Sequence, residues 1–145
     1  MGERFENLVT MYEPSERKYA EKGDTVASIA NNRGEWAVSA DAAYGRGASF
    51  CPMYESQLPK DWEYIIRDSQ SKVLFVANEE IYEKTKGFLS EIETLEHVVF
   101  IDGVKDHEHC FFKMMSDHTG DGVESIHPAK EDLAGFIYTS GTSGN

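Results

Sequence analysis

Residues 139–144 read TSGTSG and combine glycines with hydroxyl side chains. They directly follow GFIY at residues 135–138, an apolar, β-prone run with the length of a buried strand. Glycines allow positive φ angles and a close approach of a ligand, while hydroxyls and unpaired backbone N–H groups are donors for an anion. The segment therefore predicts a phosphate-binding loop at the end of a strand. Its candidate binding residues are Thr139, Ser140, Gly141, Thr142, Ser143 and Gly144.

This candidate loop has no charged side chain, so the charge of a polyphosphate must be neutralised by a metal ion or by basic residues elsewhere. It differs from the common P-loop, G-x-x-x-x-G-K-[ST], because Asn145 stands where that motif requires a lysine. On composition alone, a flexible polar tail is an alternative interpretation.

Composition narrows the class of protein. The chain has 145 residues, of which 40% are hydrophobic, which is enough for one globular core. A net charge of −12 repels nucleic acid and anionic lipid headgroups, so nucleic acid is not expected as a partner. Cys51 and Cys110 are far apart, and no stretch approaches a secretory or membrane-spanning segment, so we expect a reduced, intracellular protein.

The elements that must position the loop alternate between strand and helix. Apolar patterns predict strands within residues 24–31, 48–54, 72–77, 97–102 and 135–138. Helical periodicity predicts helices over residues 35–44, from Pro59 onward, and from the N-cap Asn78 as far as Ile92. Residues 103–131 are predicted to be a long surface excursion with a short helix around residues 111–115.

This alternation predicts an α/β fold with a mostly parallel sheet and helices on both faces. Ligands of such sheets bind outside the carboxyl ends of the strands, which is where the candidate loop would lie.

Other reactive side chains have simpler interpretations. His107, His109 and Cys110 fit no structural zinc spacing, so a solvated loop is favoured over a metal site. Ser140 fails as a nucleophile of the G-x-S-x-G type because Tyr138 occupies the position of the first glycine. Glu79, Glu80 and Glu83 could be paired carboxylates for acid–base chemistry, but they lie on the outer face of a helix. There they neighbour Lys84 and Lys86 and promote solubility. We therefore assign no catalytic residue.

The longer string DLAGFIYTSGTSG, residues 132–144, resembles the phosphate-binding signature of the adenylate-forming (AMP-binding) superfamily. That superfamily includes acyl-CoA synthetases, luciferases and peptide-synthetase adenylation domains. Further similarity in matching order is found in GDTVA at 23–27, NRGEWA at 32–37, GASFCPMY at 47–54 and YIIRDSQSKVLFV at 64–76. The stretch PMYESQLPKDW at 52–62 is most similar to the long-chain members. Gly34 and Arg46 depart from the usual family pattern.

The resemblance implies that residues 23–145 form an incomplete N-terminal AMP-binding domain ending in the phosphate loop, while residues 1–22 stay unassigned. It implies adenylation of a carboxylate by ATP and then thioester formation with coenzyme A. ATP, Mg²⁺ and coenzyme A are the implied cofactors, and a fatty acid is the implied substrate. The loop would wrap the β- and γ-phosphates, with the hydroxyl of Thr139 near Mg²⁺.

The family motifs that bind adenine and ribose, and the catalytic lysine, follow this loop in family members and are not among the 145 residues. We therefore expect a fragment of a long-chain fatty acid–CoA ligase that is inactive as an isolated chain. The expected location is cytoplasmic or peripheral on an organelle membrane. A truncated, non-catalytic paralogue that acts as a binding or regulatory module, and a fragment of another adenylate-forming enzyme, are the alternatives.

Overall fold

A computed structural model describes residues 23–31, 40, 43–44, 47–104, 107–111, 113, 129–135 and 137–139. These residues contain four strands and three helices, and the strands follow one another in the predicted order. They are β1 (Thr25–Ile29), β2 (Ser49–Met53), α1 (Pro59–Asp68), β3 (Ser71–Asn78), α2 (Glu79–Thr85), α3 (Phe88–Glu91) and β4 (His97–Asp102). Ala40, Ala43 and Tyr44 have helical backbone, as predicted, and the rest of the helix predicted over residues 35–44 lies outside the described residues.

The four strands form one parallel sheet in the order β2-β1-β3-β4, which confirms the predicted α/β fold. The two central strands are buried on both faces. In β3, residues 73–77 form the continuous apolar run that is typical of a central parallel strand. Alternate side chains of a strand point to opposite faces. In β3, Leu74 and Val76 pack with α1 and α2, whereas Phe75 contacts the ring of Phe111.

Helix α1 begins at its predicted position because Pro59 suits the first turn of a helix, where no backbone N–H donor is needed. Its buried residues are Trp62, Ile65 and Ile66. The indole N–H of Trp62 donates a 3.0 Å hydrogen bond to the carbonyl of Tyr54, just after β2. The helix is thereby tied to the carboxyl end of that strand.

The helix after β3 begins as predicted but is interrupted. The side chain of Asn78 accepts a 2.9 Å hydrogen bond from the N–H of Ile81, which caps α2. The prediction of one helix as far as Ile92 is wrong, because α2 ends at Thr85 and a separate turn, α3, follows Gly87. Glycine weakens a helix, and the Thr85 hydroxyl donates back to its own helix at 2.8 Å, an arrangement that often bends helices.

The solvated loop predicted around His107, His109 and Cys110 is also wrong. Cys110 and Phe111 have no exposed surface, and the N–H of Phe100 in β4 donates to the carbonyl of His109 at 3.0 Å. His107 and His109 pack against the ring of Tyr82. Cys110 and Phe111 therefore belong to the core, while His107 and His109 are half-buried beside it and Glu108 is exposed. Phe111 and Lys113 have helical backbone, in line with the short helix predicted there.

Candidate functional site

The segment that leads to the candidate loop lies beside β2, at the outer edge of the sheet. Gly135 forms a parallel bridge with Phe50, and the N–H of Phe50 donates to the carbonyl of Ala134 at 2.9 Å. The hydroxyl of Ser49 donates to the carbonyl of Leu133 at 3.0 Å. A Cβ atom at Gly135 would collide with the carbonyl oxygen of Phe50, so this close approach requires glycine.

The buried strand predicted at residues 135–138 is wrong at Ile137 and Tyr138, and Phe136 lies outside the described residues. Ile137 is 83% exposed, and neither it nor Tyr138 belongs to a strand. The physical reason lies in β2. Alternate residues of a parallel strand face the same neighbour, so the next donor after Phe50 on this side would be Pro52, which has no N–H. Regular pairing with β2 therefore stops.

Tyr138 contacts the body of the protein through its side chain instead. It is half-buried against the core, and its hydroxyl donates a 2.7 Å hydrogen bond to Oδ2 of Asp68, the last residue of α1. Burial, followed by the bond to Asp68, raises the pKa of the Tyr138 hydroxyl well above its usual range. The hydroxyl therefore acts as a donor at all physiological pH values.

Thr139, the first candidate phosphate-binding residue, follows Tyr138 directly and is exposed. Its hydroxyl is a hard oxygen donor of the kind that suits Mg²⁺. The described part of the chain contains no cluster of three or more histidine, cysteine, aspartate or glutamate side chains that could hold a metal ion. Ser140, Gly141, Thr142, Ser143 and Gly144 lie outside the described residues.

A cleft of about 470 Å³ opens beside the strand-to-loop junction, at the carboxyl ends of β1 and β2. Such a volume is within the range of small-molecule sites. The sequence did not predict this cleft, because its walls come from separate segments that only the fold brings together. Its lining residues are Ala30, Asn31, Pro52, Met53, Tyr54, Gln57, Ile65, Ile137 and Tyr138.

Hydrogen bonds fix the rim of this cleft. The side-chain amide of Asn31, after β1, donates to Glu55 at 3.2 Å and so links the ends of β1 and β2. The N–H of Tyr54 donates to the side chain of Gln57 at 3.0 Å. The carboxyl ends of β1 and β2 thus form an ordered, mainly apolar surface with amide and hydroxyl groups at its margin.

Among the residues described, no helix is long and apolar enough to span a bilayer.

Three comparisons relate the chain to known proteins. The family model for AMP-binding enzyme matches residues 17–145. Fatty acyl-CoA synthetase A of Dictyostelium discoideum is 27% identical over 133 residues, which cover 86% of this chain and 20% of that protein. Long chain acyl-CoA synthetase 4 of Arabidopsis thaliana is 28% identical over 125 residues, which cover 79% of this chain and 19% of that protein. The chain therefore spans about a fifth of the length of these relatives.

The fold is similar to that of solved enzymes as well. The crystal structure of an anthranilate CoA ligase in complex with anthranoyl-AMP matches with a TM-score of 0.81 at 22% identity. The match covers 98% of this chain and 27% of that enzyme. At this identity, the likeness concerns the fold.

Proposed function

The chain belongs to the AMP-binding enzyme family, and on that premise we propose that it forms part of the ATP site of a long-chain fatty acid–CoA ligase. The proposed reaction has two steps. The fatty acid carboxylate attacks the α-phosphorus of ATP, which forms an acyl-adenylate and releases pyrophosphate. The thiol of coenzyme A then attacks the acyl carbon, which forms the thioester and releases AMP.

One observation carries this proposal. Thr139 follows a segment that lies parallel to β2 and emerges beside the cleft at the carboxyl ends of β1 and β2. Ligands of parallel α/β sheets bind at this edge. A chain with a net charge of −12 needs a local cluster of donors to hold an anion, and residues 139–144 offer hydroxyl and backbone donors there.

Within this site we assign the β- and γ-phosphates to residues 139–144, and Mg²⁺ to the hydroxyl of Thr139. Mg²⁺ would supply the positive charge that the loop itself lacks. The preference for a long-chain acid is supported by the similarity of residues 52–62 to long-chain synthetases and by the name of the Arabidopsis relative. Cytoplasmic location, or peripheral association with an organelle membrane, fits this function.

The chain covers about a fifth of its relatives, so we propose that residues 23–145 act as the first part of a larger N-terminal domain. Positioning of the reacting groups and of cationic side chains supplies most of the catalytic effect in such a transfer. Ordering a loop costs about 1–2 kcal/mol per residue, which offsets most of what a few hydrogen bonds return. We therefore expect no ligase activity and only millimolar ATP affinity, about −4 kcal/mol, for the 145 residues alone.

Titration of the ¹⁵N-labelled chain with MgATP tests the proposal. We expect amide shifts confined to residues 137–144 and the cleft, with a Kd of about 1 mM. Thr139→Ala and Thr142→Ala should weaken the response. Thr94→Ala is the matched control, because its hydroxyl donates to the carbonyl of Ser71 at the amino end of β3, whereas the cleft lies at the carboxyl ends of the strands.

Two results would contradict the proposal. One is the absence of any ATP-dependent shift in residues 139–144 at about 10 mM MgATP, some ten times the expected Kd. The other is an equal loss of response in all three threonine variants. Formation of acyl-adenylate by the purified chain would overturn the separate expectation that the chain alone is inactive.

A further inference from the structure

The contact between Tyr138 and Asp68 lies at the junction between the sheet and the candidate loop. We propose that Tyr138 and Asp68 are positioning residues: their hydrogen bond holds the start of the phosphate loop against α1, where backbone pairing with β2 has ended. This inference rests on the proposed phosphate-binding role of residues 139–144. It adds residues outside the loop that set the affinity of the loop.

Backbone pairing cannot position the loop, because it ends too early. The last hydrogen bond given by β2 on its outer side is the one from Phe50 to Ala134. Pro52, the next outward residue, cannot donate. The high exposure of Ile137 agrees with this loss of pairing. At residues 137–139, a contact other than regular pairing with β2 therefore directs the chain.

Tyr138 provides that contact. Its ring packs at the margin of the core, and its hydroxyl lies 2.7 Å from a carboxylate oxygen of Asp68. Hydrogen bonds to an ionised acceptor are shorter and stronger than neutral ones. Because Asp68 is exposed, water screens part of this bond, so we expect a moderate effect on the loop.

Asp68 is itself held in place, which makes it a suitable anchor. It is the last residue of α1 and is followed by Ser69, which is buried. The N–H of Ser69 donates to Ile65 at 2.9 Å, and its hydroxyl lies 2.7 Å from that of Ser71 at the start of β3. This corner is therefore tied to the start of β3.

The consequence concerns Thr139. With the preceding residue fixed through its side chain, fewer conformations of the loop remain to be lost when a phosphate binds. Removing the hydroxyl of Tyr138 leaves every hydrogen-bond donor of the loop in place. It increases the conformational freedom of the residue from which the loop starts. We expect the affinity for MgATP to fall about two- to ten-fold, which corresponds to the net contribution of one ordinary hydrogen bond.

The test uses the 145-residue chain with Tyr138→Phe, Asp68→Ala and the double variant, each titrated with MgATP by NMR. Tyr64→Phe is the matched control, because Tyr64 is an exposed tyrosine on the same helix. We expect each single variant to weaken ATP binding about two- to ten-fold, with a lower order parameter for the Thr139 amide. The double variant should be no worse than either single one, since all three break the same bond. Asp68→Asn keeps a carbonyl acceptor and should be intermediate.

Additive losses in the double variant, or an unchanged Thr139 order parameter in Tyr138→Phe, would overturn the inference. The urea midpoint of each variant separates loop positioning from general unfolding, because positioning lowers affinity even where the chain stays folded. Failure of the proposed function would give a different result, namely no response of the wild-type loop to ATP. The order parameters of the variants would then still show whether the bond between Tyr138 and Asp68 orders Thr139.

Discussion

The two edges of the sheet are built alike. At the β4 edge, Cys110 forms a parallel bridge with Phe100, and at the β2 edge, Gly135 forms a parallel bridge with Phe50. In both cases the strand residue donates its N–H to the residue before the bridge, at 3.0 Å for Phe100 and 2.9 Å for Phe50. The backbone contact is therefore nearly the same at each edge.

The edges differ in the path of the chain beyond the bridge. After Cys110 the chain enters the core, where Phe111 is fully buried and its ring meets Phe75 edge-on at 6.2 Å. Beyond Gly135, Ile137 is 83% exposed and Tyr138 is half-buried at the margin of the core. Apolar burial fixes the first segment, whereas hydrogen bonds from Ser49 and Tyr138 hold the second. Binding loops are usually drawn from such weakly held regions, and this arrangement leaves Thr139 accessible.

The largest expected difference is in stability. Phe111→Ala should lower the free energy of unfolding by about 3–5 kcal/mol, because it removes a fully buried ring. Ile137→Ala at the other edge should change it by no more than about 0.5 kcal/mol. Urea denaturation followed by tryptophan fluorescence measures both. Phe111→Leu replaces the alanine variant in this measurement if the latter does not fold. Equal losses of unfolding free energy at the two edges would refute the comparison.

Each edge also contains one buried free cysteine, Cys51 in β2 and Cys110 beyond β4. Burial raises the pKa of the Cys51 thiol to about 11. Its thiolate fraction at pH 8 should then be roughly two orders of magnitude below that of a free cysteine with a pKa of about 8.5. A thiol reagent at pH 8 should therefore label Cys51 only on unfolding. Fast labelling of the native chain would show that β2 itself is loose.

The same shift predicts a dependence of stability on pH. The folded-state pKa of Cys51 is raised, so the neutral thiol contributes stability that is fully present below about pH 8.5. That contribution is lost as the pH rises through about 11. Urea titrations at increasing pH should show the midpoint falling over this interval. A midpoint that rises between these pH values would contradict the assignment.

Gly135→Ala probes the β2 edge directly. The Cβ of alanine would press on the carbonyl oxygen of Phe50. We therefore expect the free energy of unfolding to fall by about 1–3 kcal/mol and the bridge to Phe50 to be lost. Gly87→Ala is the matched control, because its Cβ would meet nothing within 4 Å and its φ of −64° suits alanine. The control should be stabilised by about 0.4–1 kcal/mol. Equal behaviour of the two variants would argue against a close approach at Gly135.

The smallest effect on stability is expected for Tyr138→Phe. It should lower the free energy of unfolding by less than about 1 kcal/mol, because the acceptor, Asp68, is exposed to water. The raised pKa of Tyr138 means that its contribution is present below about pH 10 and is lost as the pH rises through the folded-state pKa. Absorbance at alkaline pH should show a tyrosine that ionises late in the wild type and is missing from the variant. Ionisation of Tyr138 near pH 10 would contradict the hydrogen bond.

Local patterns in the sequence determined the main elements and the family. The apolar runs of β3 and β4, the proline at the start of α1 and the cap at Asn78 act within a few residues, so they could be recognised without the fold. The composition of residues 139–144 likewise predicted a phosphate loop, and the resemblance to adenylate-forming enzymes is confirmed by the family match.

Only the tertiary structure decided where each edge of the sheet ends. Burial of Phe111 depends on Phe75, and the end of pairing after Gly135 depends on Pro52, both far away in sequence. The cleft and the bond between Tyr138 and Asp68 likewise join residues that are near one another only in the folded chain. A side chain's exposure and its hydrogen-bond partners are set by its neighbours in space, and no local periodicity encodes them.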